Sequence, residues 1–273
     1  MKIVRHRLHN DDDTPYPFVQ SPNRGGKVEH HCLVIHYTAS PSAENAVQSL
    51  TNPASKASAH IVIGREGDIT QLVPFDRIAW HAGVSAWEGL QGLNRYSLGI
   101  ELDNAGKLKR HGEKWRAWFG LDYDDIDVIE AIHKHETEPA GWHIFTAEQI
   151  EAALELSRVL VSRYGLLDVV GHDDIAPARK VDPGPAFPMG SFRARLFGRA
   201  EDEEVKYETI TNLNIRMGPG TEYEKIIDKS LPPGTQVVTV EREGSWLLVD
   251  VLEQIDGVMD LQGWVHGRYL RRA

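Results

Sequence analysis

The segment Leu33-Val34-Ile35-His36-Tyr37-Thr38 constrains the fold more than any other stretch of the chain. A nearly continuous apolar run of this length reads as a strand covered on both faces, so it calls for a sheet with layers on either side. His36, near the C-terminal end of that strand, would project beyond the sheet into a cleft. Far downstream, the segment from Gly171 to Pro185 carries a second imidazole, His172, together with aspartates and Lys180. Two imidazoles, one carboxylate and a lysine can build an open zinc site. Three N/O ligands leave the fourth tetrahedral position for water, whose pKa zinc lowers to about 7.

The rest of the N-terminal two thirds supports a layered α/β arrangement, a mixed central sheet flanked by helices. Residues 1–30, with Asp11-Asp12-Asp13 and prolines at 15, 17 and 22, read as an irregular arm. Ser42 is placed to cap a short helix through about Leu50, ended by Pro53. Residues 59–64 and 68–73 flank Arg65-Glu66-Gly67 in a hairpin pattern. Ser97 to Leu102 reads as a strand carrying Glu101, a carboxylate among apolar neighbours. Thr146-Ala147-Glu148-Gln149 fits a capping box, apolar residues follow at helical spacing to Tyr164, and Gly165 is the expected C-cap. Val169-Val170-Gly171-His172 returns as a short strand, setting His172, like His36, where a strand gives way to a loop.

Between Lys107 and Phe145 periodicity is ambiguous, and 127–135 suits strand or helix, so the stretch is expected to be a loop-rich insertion. Its Trp115, Trp118 and Trp142 either form an aromatic wall for a ligand or pack against one another; His133 and His135 are expected to be structural. Residues 200–206 form an acidic break with the composition of a linker. Beyond it, short strand patterns at roughly regular spacing, separated by Gly/Pro turns, suggest a small all-β barrel. The expected domains are therefore 1–199 with the arm, the linker 200–206, and 207–273.

At 273 residues with 41% hydrophobic content, the chain can bury a sizeable core. No run approaches the roughly 18 apolar residues of a membrane span, and Met1-Lys2-Ile3-Val4-Arg5 bears charge where an export signal would be apolar. Cys32 is the sole cysteine, which excludes an internal disulfide and leaves the redox compartment open. A formal charge of -10 argues against nucleic acid as a partner.

Several blocks together resemble the zinc-dependent N-acetylmuramoyl-L-alanine amidases of the amidase-2 family, which share a fold with the peptidoglycan recognition proteins. They are Leu33 to Ala39, Ser58-Ala59-His60, Ala79-Trp80-His81-Ala82-Gly83, Asn94 to Leu102, and Gly171 to Pro185, so that the resemblance covers about residues 28–190. It implies one zinc ion per chain on His36, His172 and Asp182, with Glu101 and Lys180 as the catalytic pair. The tail is similar to bacterial SH3-like domains through Leu213 to Gly220, Trp246 and Gly263-Trp264-Val265, which implies binding to the cell wall.

The expected reaction is cleavage of the bond between N-acetylmuramic acid and L-alanine in peptidoglycan or muropeptides. Glu101 would take a proton from water and deliver it to the leaving nitrogen, while the ion and Lys180 stabilise the tetrahedral oxygen. His60, Trp80, His81 and Asn94 are candidates for lining the substrate groove; the alternative for His60, His81 and Asn94 is ordinary hydrogen bonding within the fold. Two other readings stay open: a recognition protein that binds peptidoglycan without cutting it, and a glycosidase with two carboxylates across a sugar bond. The setting is either cell-wall polymer reached by a non-standard route or muropeptide recycling in the cytoplasm.

Overall fold

The computed structural model describes residues 1–197, 206–255, 257–258 and 261–273, so all of the expected acidic linker except Lys206 lies outside the described residues. The chain forms two compact units that do not follow a single cut in sequence. One is Met1–Gly106 with the stretch from Ile144 through the last helix before the acidic break; the other is Lys107–His143 with the C-terminal stretch to Ala273.

The first unit is built on β1 (Cys32–Tyr37), β2 (Ile61–Ile63), β3 (Ile69–Gln71), β4 (Ser97–Leu102) and β5 (Asp168–Gly171), in the order β5-β1-β4-β2-β3. β1 runs parallel to β4 and β5, β4 parallel to β2, and β3 closes one edge antiparallel to β2. Alternation along the strands sorts their side chains between two cores. Leu33, Ile35, Leu98, Ile100, Ile61 and Ile63 pack against Ala153, Leu154, Leu156 and Leu160 of a long helix. On the opposite face, Cys32, Val34 and Val170 pack with Ala82, Leu93, Ile175 and Ala176. The two-sided burial expected of β1 follows from this arrangement, and the same alternation assigns His36 and Glu101 to the face away from the long helix.

The helices of this unit are α1 (Ala43–Thr51), α2 (Ala147–Tyr164), α3 (His172–Ile175) and α4 (Met189–Phe197). Ser42 caps α1 by accepting from the backbone N–H of Asn45. In α2 the capping box closes in both directions. Thr146 Oγ1 accepts from Gln149 N at 3.1 Å, and Gln149 Oε1 accepts from Thr146 N at 3.2 Å. Gln149 Nε2 also donates to the carbonyl of Asp103, just past β4, at 2.8 Å, which ties the start of the helix to the end of the strand. Gly165 ends α2 with φ 66°, a left-handed conformation that glycine adopts without a Cβ penalty.

The N-terminal arm is more ordered than its composition suggests. Lys2–Val4 pairs with Arg7–His9, and Leu8 is fully buried in the core shared with α2.

In the second unit, the expected loop-rich insertion is instead a five-stranded antiparallel sheet. Its order is Asp122–Tyr123, Lys114–Arg116, Lys107–His111, Pro139–His143 and Val128–Ile132. These strands are short and charged on their open face, so burial rests on a few positions: Trp115, Trp142, Leu108, Val128 and Ile129. Trp115 and Trp142 are thus core residues, His133 stacks on Trp142, and Trp118 is 78% exposed. The tail contributes another five-stranded antiparallel sheet, in the order Gln262–His266, Trp246–Val251, Gln236–Glu243, Lys206–Thr209 and Leu270–Arg272. Within the unit, Glu130 joins the two sheets. Its backbone N–H donates to Ser245 Oγ at 3.0 Å, and its carboxylate lies 3.3 Å from Arg268. Among the described residues, no helix is long and apolar enough to cross a membrane.

Since Leu154 is fully buried between α2 and the sheet, Leu154→Ala is expected to cost about 2–5 kcal/mol in urea unfolding. Leu167→Ala, at a position 62% exposed, is expected to stay within about 0.5 kcal/mol of the parent.

Candidate metal centre

The parallel register of β1 and β4 sets His36 opposite Glu101, on neighbouring strands and on one face. β5 lies on the other side of β1 with Gly171 opposite Ile35, and His172 follows as the first residue of α3. His172 therefore emerges beside His36 at the same end of the sheet. Gly171 is needed at this corner, because a Cβ there would lie 2.2 Å from Asp173 Oδ1 and 2.8 Å from Pro183 Cδ. The loop after α3 then folds back. Asp173 N donates to the carbonyl of Asp182 at 2.7 Å, and Lys180 N donates to Ala176 O at 3.0 Å. These bonds hold Asp182 against the two histidines and leave Lys180 on the rim of the same cavity.

Three donor atoms converge. His36 Nδ1 lies 2.9 Å from His172 Nδ1 and 2.9 Å from Asp182 Oδ2, and His172 Nδ1 lies 3.0 Å from Asp182 Oδ2. Each imidazole nitrogen carries at most one proton and can point it at only one neighbour, so hydrogen bonds alone cannot satisfy all three contacts with neutral rings. A cation can. In a tetrahedral site with N/O ligands at about 2.0–2.1 Å, ligand atoms stand about 3.3 Å apart, close to the separations found here. Among the described residues this is the one cluster of His, Cys, Asp and Glu side chains arranged to share an ion.

Burial and repulsion from neighbouring cations keep the His36 ring in the form a metal needs. Burial, reinforced by His172 and Lys180, pulls His36 down to about 4, so it is neutral at ordinary pH. Burial alone would raise Asp182, but hydrogen bonds with His172 and His36 hold its carboxyl well below the usual carboxylate range. Glu101 moves the opposite way: burial and the neighbouring Asp182 raise it well above 4.5, with Lys180 opposing. Its Oε2 is buried without a hydrogen-bond partner among the described residues. A carboxyl whose charged and neutral forms are brought closer in energy, beside the His36, His172 and Asp182 trio, can take and return a proton.

A cavity of about 360 Å³ opens over these groups. His36, Glu101, His172, Lys180 and Asp182 line it together with Trp80, His81 and Arg179. Of the groove candidates, Trp80 is 38% exposed at the cavity, whereas His81 stands behind His36 with its Nδ1 3.0 Å from His36 Nε2. Asn94 uses its side-chain oxygen on backbone, accepting from His81 N at 2.9 Å and Ala82 N at 2.7 Å. His60 is fully buried, with Nε2 donating to Arg77 O at 2.8 Å and Nδ1 accepting from Gly99 N at 3.0 Å. Both of its nitrogens are spent inside the fold. Arg179 escaped the sequence reading, because an arginine among charged neighbours carries no periodic signal. Its Nη2 donates to Ala82 O at 2.8 Å and Val84 O at 2.9 Å, clamping one wall.

Residues 26–185 match the family model described as N-acetylmuramoyl-L-alanine amidase. The chain is 38% identical over 181 residues to N-acetylmuramoyl-L-alanine amidase AmiD of Escherichia coli strain K12, covering 63% of this chain and 55% of that protein. It is 34% identical over 148 residues to 1,6-anhydro-N-acetylmuramyl-L-alanine amidase AmpD of Enterobacter cloacae, covering 54% of this chain and 60% of that one. The matched region thus spans little more than half the length of these curated relatives. Among solved structures, the crystal structure of a selenomethionine AmpD derivative is similar with a TM-score of 0.50 and 26% identity, covering 72% of this chain and 99% of that one.

His60 supplies a pH test of the fold. Burial lowers it from 6.5 to about 4, so between those values the unfolded chain binds a proton that the folded chain does not. Stability from this group is complete above about pH 6.5 and lost as pH falls to about 4, a total of about 3 kcal/mol. Urea unfolding of the parent and His60→Gln at a series of pH values between 7 and 4 is expected to show a shallower decline in the variant.

Proposed function

The chain belongs to the N-acetylmuramoyl-L-alanine amidase family, and from that premise we propose that it hydrolyses the amide between N-acetylmuramic acid and L-alanine with one zinc ion. The observation that carries this reading is the convergence of the His36, His172 and Asp182 donor atoms in a cavity that also holds Glu101 and Lys180. Bound there, zinc supplies Lewis acidity, polarising a carbonyl and bringing the pKa of a water to about 7.

The chain's own groups account for the remaining demands of amide hydrolysis. Glu101, whose Oε2 has no hydrogen-bond partner among the described residues, accepts a proton from the attacking water and passes it to the departing L-alanine nitrogen, which must be protonated to leave. Lys180, whose charge reaches Glu101 and His36, sits on the rim to stabilise negative charge developing on the carbonyl oxygen. Trp80 offers an apolar flank to the sugar or the stem peptide. A covalent route through sulfur is disfavoured: Cys32 is buried in the sheet and its thiol is pushed up to about 12.

The substrate is peptidoglycan or its soluble fragments. The C-terminal sheet, similar in sequence to bacterial SH3-like domains, favours polymer, since a wall-binding module adds little for fragments that diffuse to the enzyme. Soluble 1,6-anhydro-muropeptides, the class named for AmpD, are the competing substrate.

Incubation with intact sacculi and with a soluble anhydro-muropeptide, products identified by mass, is expected to release free stem peptide. The larger specificity constant is expected for polymer. Chelation is expected to abolish release, and added zinc to restore it. Glu101→Gln is expected to retain zinc and lower kcat by about 10²–10⁴-fold. Equal release by parent and variant would remove Glu101 from the chemistry, and no release by either would leave a binding protein in place of an enzyme.

A further inference from the structure

We infer that the segment Trp80–Ala82, pinned by Asn94, orients both metal-binding imidazoles, which makes His81 and Asn94 positioning residues for the ion in place of substrate contacts. This rests on the reading of His36, His172 and Asp182 as the zinc site.

The hydrogen-bond directions follow from a carbonyl outward. Ser97 Oγ lies 2.6 Å from Leu93 O, which can only accept, so the serine proton is committed to it. The contact of 3.3 Å between Ser97 Oγ and His81 Nε2 must then be donated by the imidazole, which leaves His81 Nδ1 as an acceptor. His36 Nε2, 3.0 Å away, is its donor. A neutral His36 with its proton on Nε2 presents a bare lone pair at Nδ1, the atom that faces His172 and Asp182.

The next residue along performs the same task for the second ring. His172 Nε2 lies 3.2 Å from Ala82 O, again an acceptor only, so the proton is on Nε2 and Nδ1 is bare. Arg179 Nη2 also comes within 3.4 Å of His172 Nε2, but its two hydrogens are committed to Ala82 O and Val84 O, so it does not compete for that nitrogen. Two adjacent residues, one through its side chain and one through its carbonyl, thus set both tautomers.

What holds those two residues is Asn94. Its Oδ1 receives both of their backbone N–H groups, at 2.9 and 2.7 Å. The sheet leaves room for the device as well. At Gly99, which β4 places on the same face as Glu101, a Cβ would lie 2.5 Å from His81 Cγ and 2.6 Å from Nδ1. Partners of this kind, donating or accepting at the outer nitrogen of a metal-bound histidine, fix ring orientation and commonly carry 10–100-fold in metal affinity.

The test measures zinc affinity of the full chain by competition with a chromophoric chelator, with cobalt(II) absorption as a second reading of ligand geometry. His81→Leu and Asn94→Ala are expected to bind zinc about 10–100-fold more weakly and to alter the cobalt spectrum. His81→Asn and Asn94→Asp each keep an acceptor oxygen near the original atom and are expected to recover most of the loss. At saturating zinc, KM for muropeptide is expected to stay within about twofold of the parent, since neither side chain is assigned to substrate. Parental zinc affinity in both His81→Leu and Asn94→Ala, or a raised KM at saturating zinc with affinity unchanged, would overturn the inference. Should His81→Leu fail to fold, Asn94→Ala decides. A parent chain that binds no zinc would instead remove the reading of the metal site, and this inference with it.

Discussion

The parallel pairing of β1 with β4 is the constraint on which the rest of the molecule depends. In a strand, side chains alternate between faces, so a register that puts Ile35 beside Ile100 in the core under α2 also puts His36 beside Glu101 on the opposite face. A one-residue slip of β1 would turn His36 into the apolar layer under α2 and send Leu33 and Ile35 to the opposite face, separating His36 from Glu101. The core and the chemistry are therefore specified by one choice. The apolar residues enforce the register, because Leu33, Ile35, Leu98 and Ile100 are all fully buried. The site inherits its geometry from that packing.

Much of this was legible because it depends on local patterns with a physical meaning. The apolar run around His36, the strand carrying Glu101, the Thr146 capping box and the Gly165 cap each announce themselves within a few residues. The insertion at 107–143 was not legible. Its strands hold at most four buried apolar residues each, and Asp122–Tyr123 holds none; the burial that makes them strands comes largely from Trp115 and Trp142, far apart in sequence and at no shared period. The division of the first unit's polar residues was hidden for a different reason. His60, His81 and Asn94 share a composition compatible with a ligand groove, and only the direction of individual hydrogen bonds separates a histidine spent on Arg77 O from one that faces His36. Such directions are set by tertiary contacts between residues tens of positions apart, which no spacing rule reports.

The trio also presents an energetic tension between its polar groups and the packing that carries them. Asp182 and Glu101 are two carboxyl groups in one partly enclosed space, and each disfavours the other's charge, with Lys180 as the compensating cation named for Glu101. Close contacts among His36, His172 and Asp182 add a second conflict, since three donor atoms within about 3 Å cannot all be satisfied by protons. A chain that relied on this cluster for stability would fold only around its ion, as small zinc modules do. Here the cluster is carried by strands whose other side chains form an apolar core extending to α2, and by a loop fixed through the Asp173–Asp182 backbone bond. Apolar packing therefore holds the elements that carry these groups, and the polar conflict is confined to the end of the sheet. The same separation explains how a carboxyl can be kept uncomfortable at Glu101: the cost falls on a few atoms at the cavity, while the free energy that holds them there is generated several residues away.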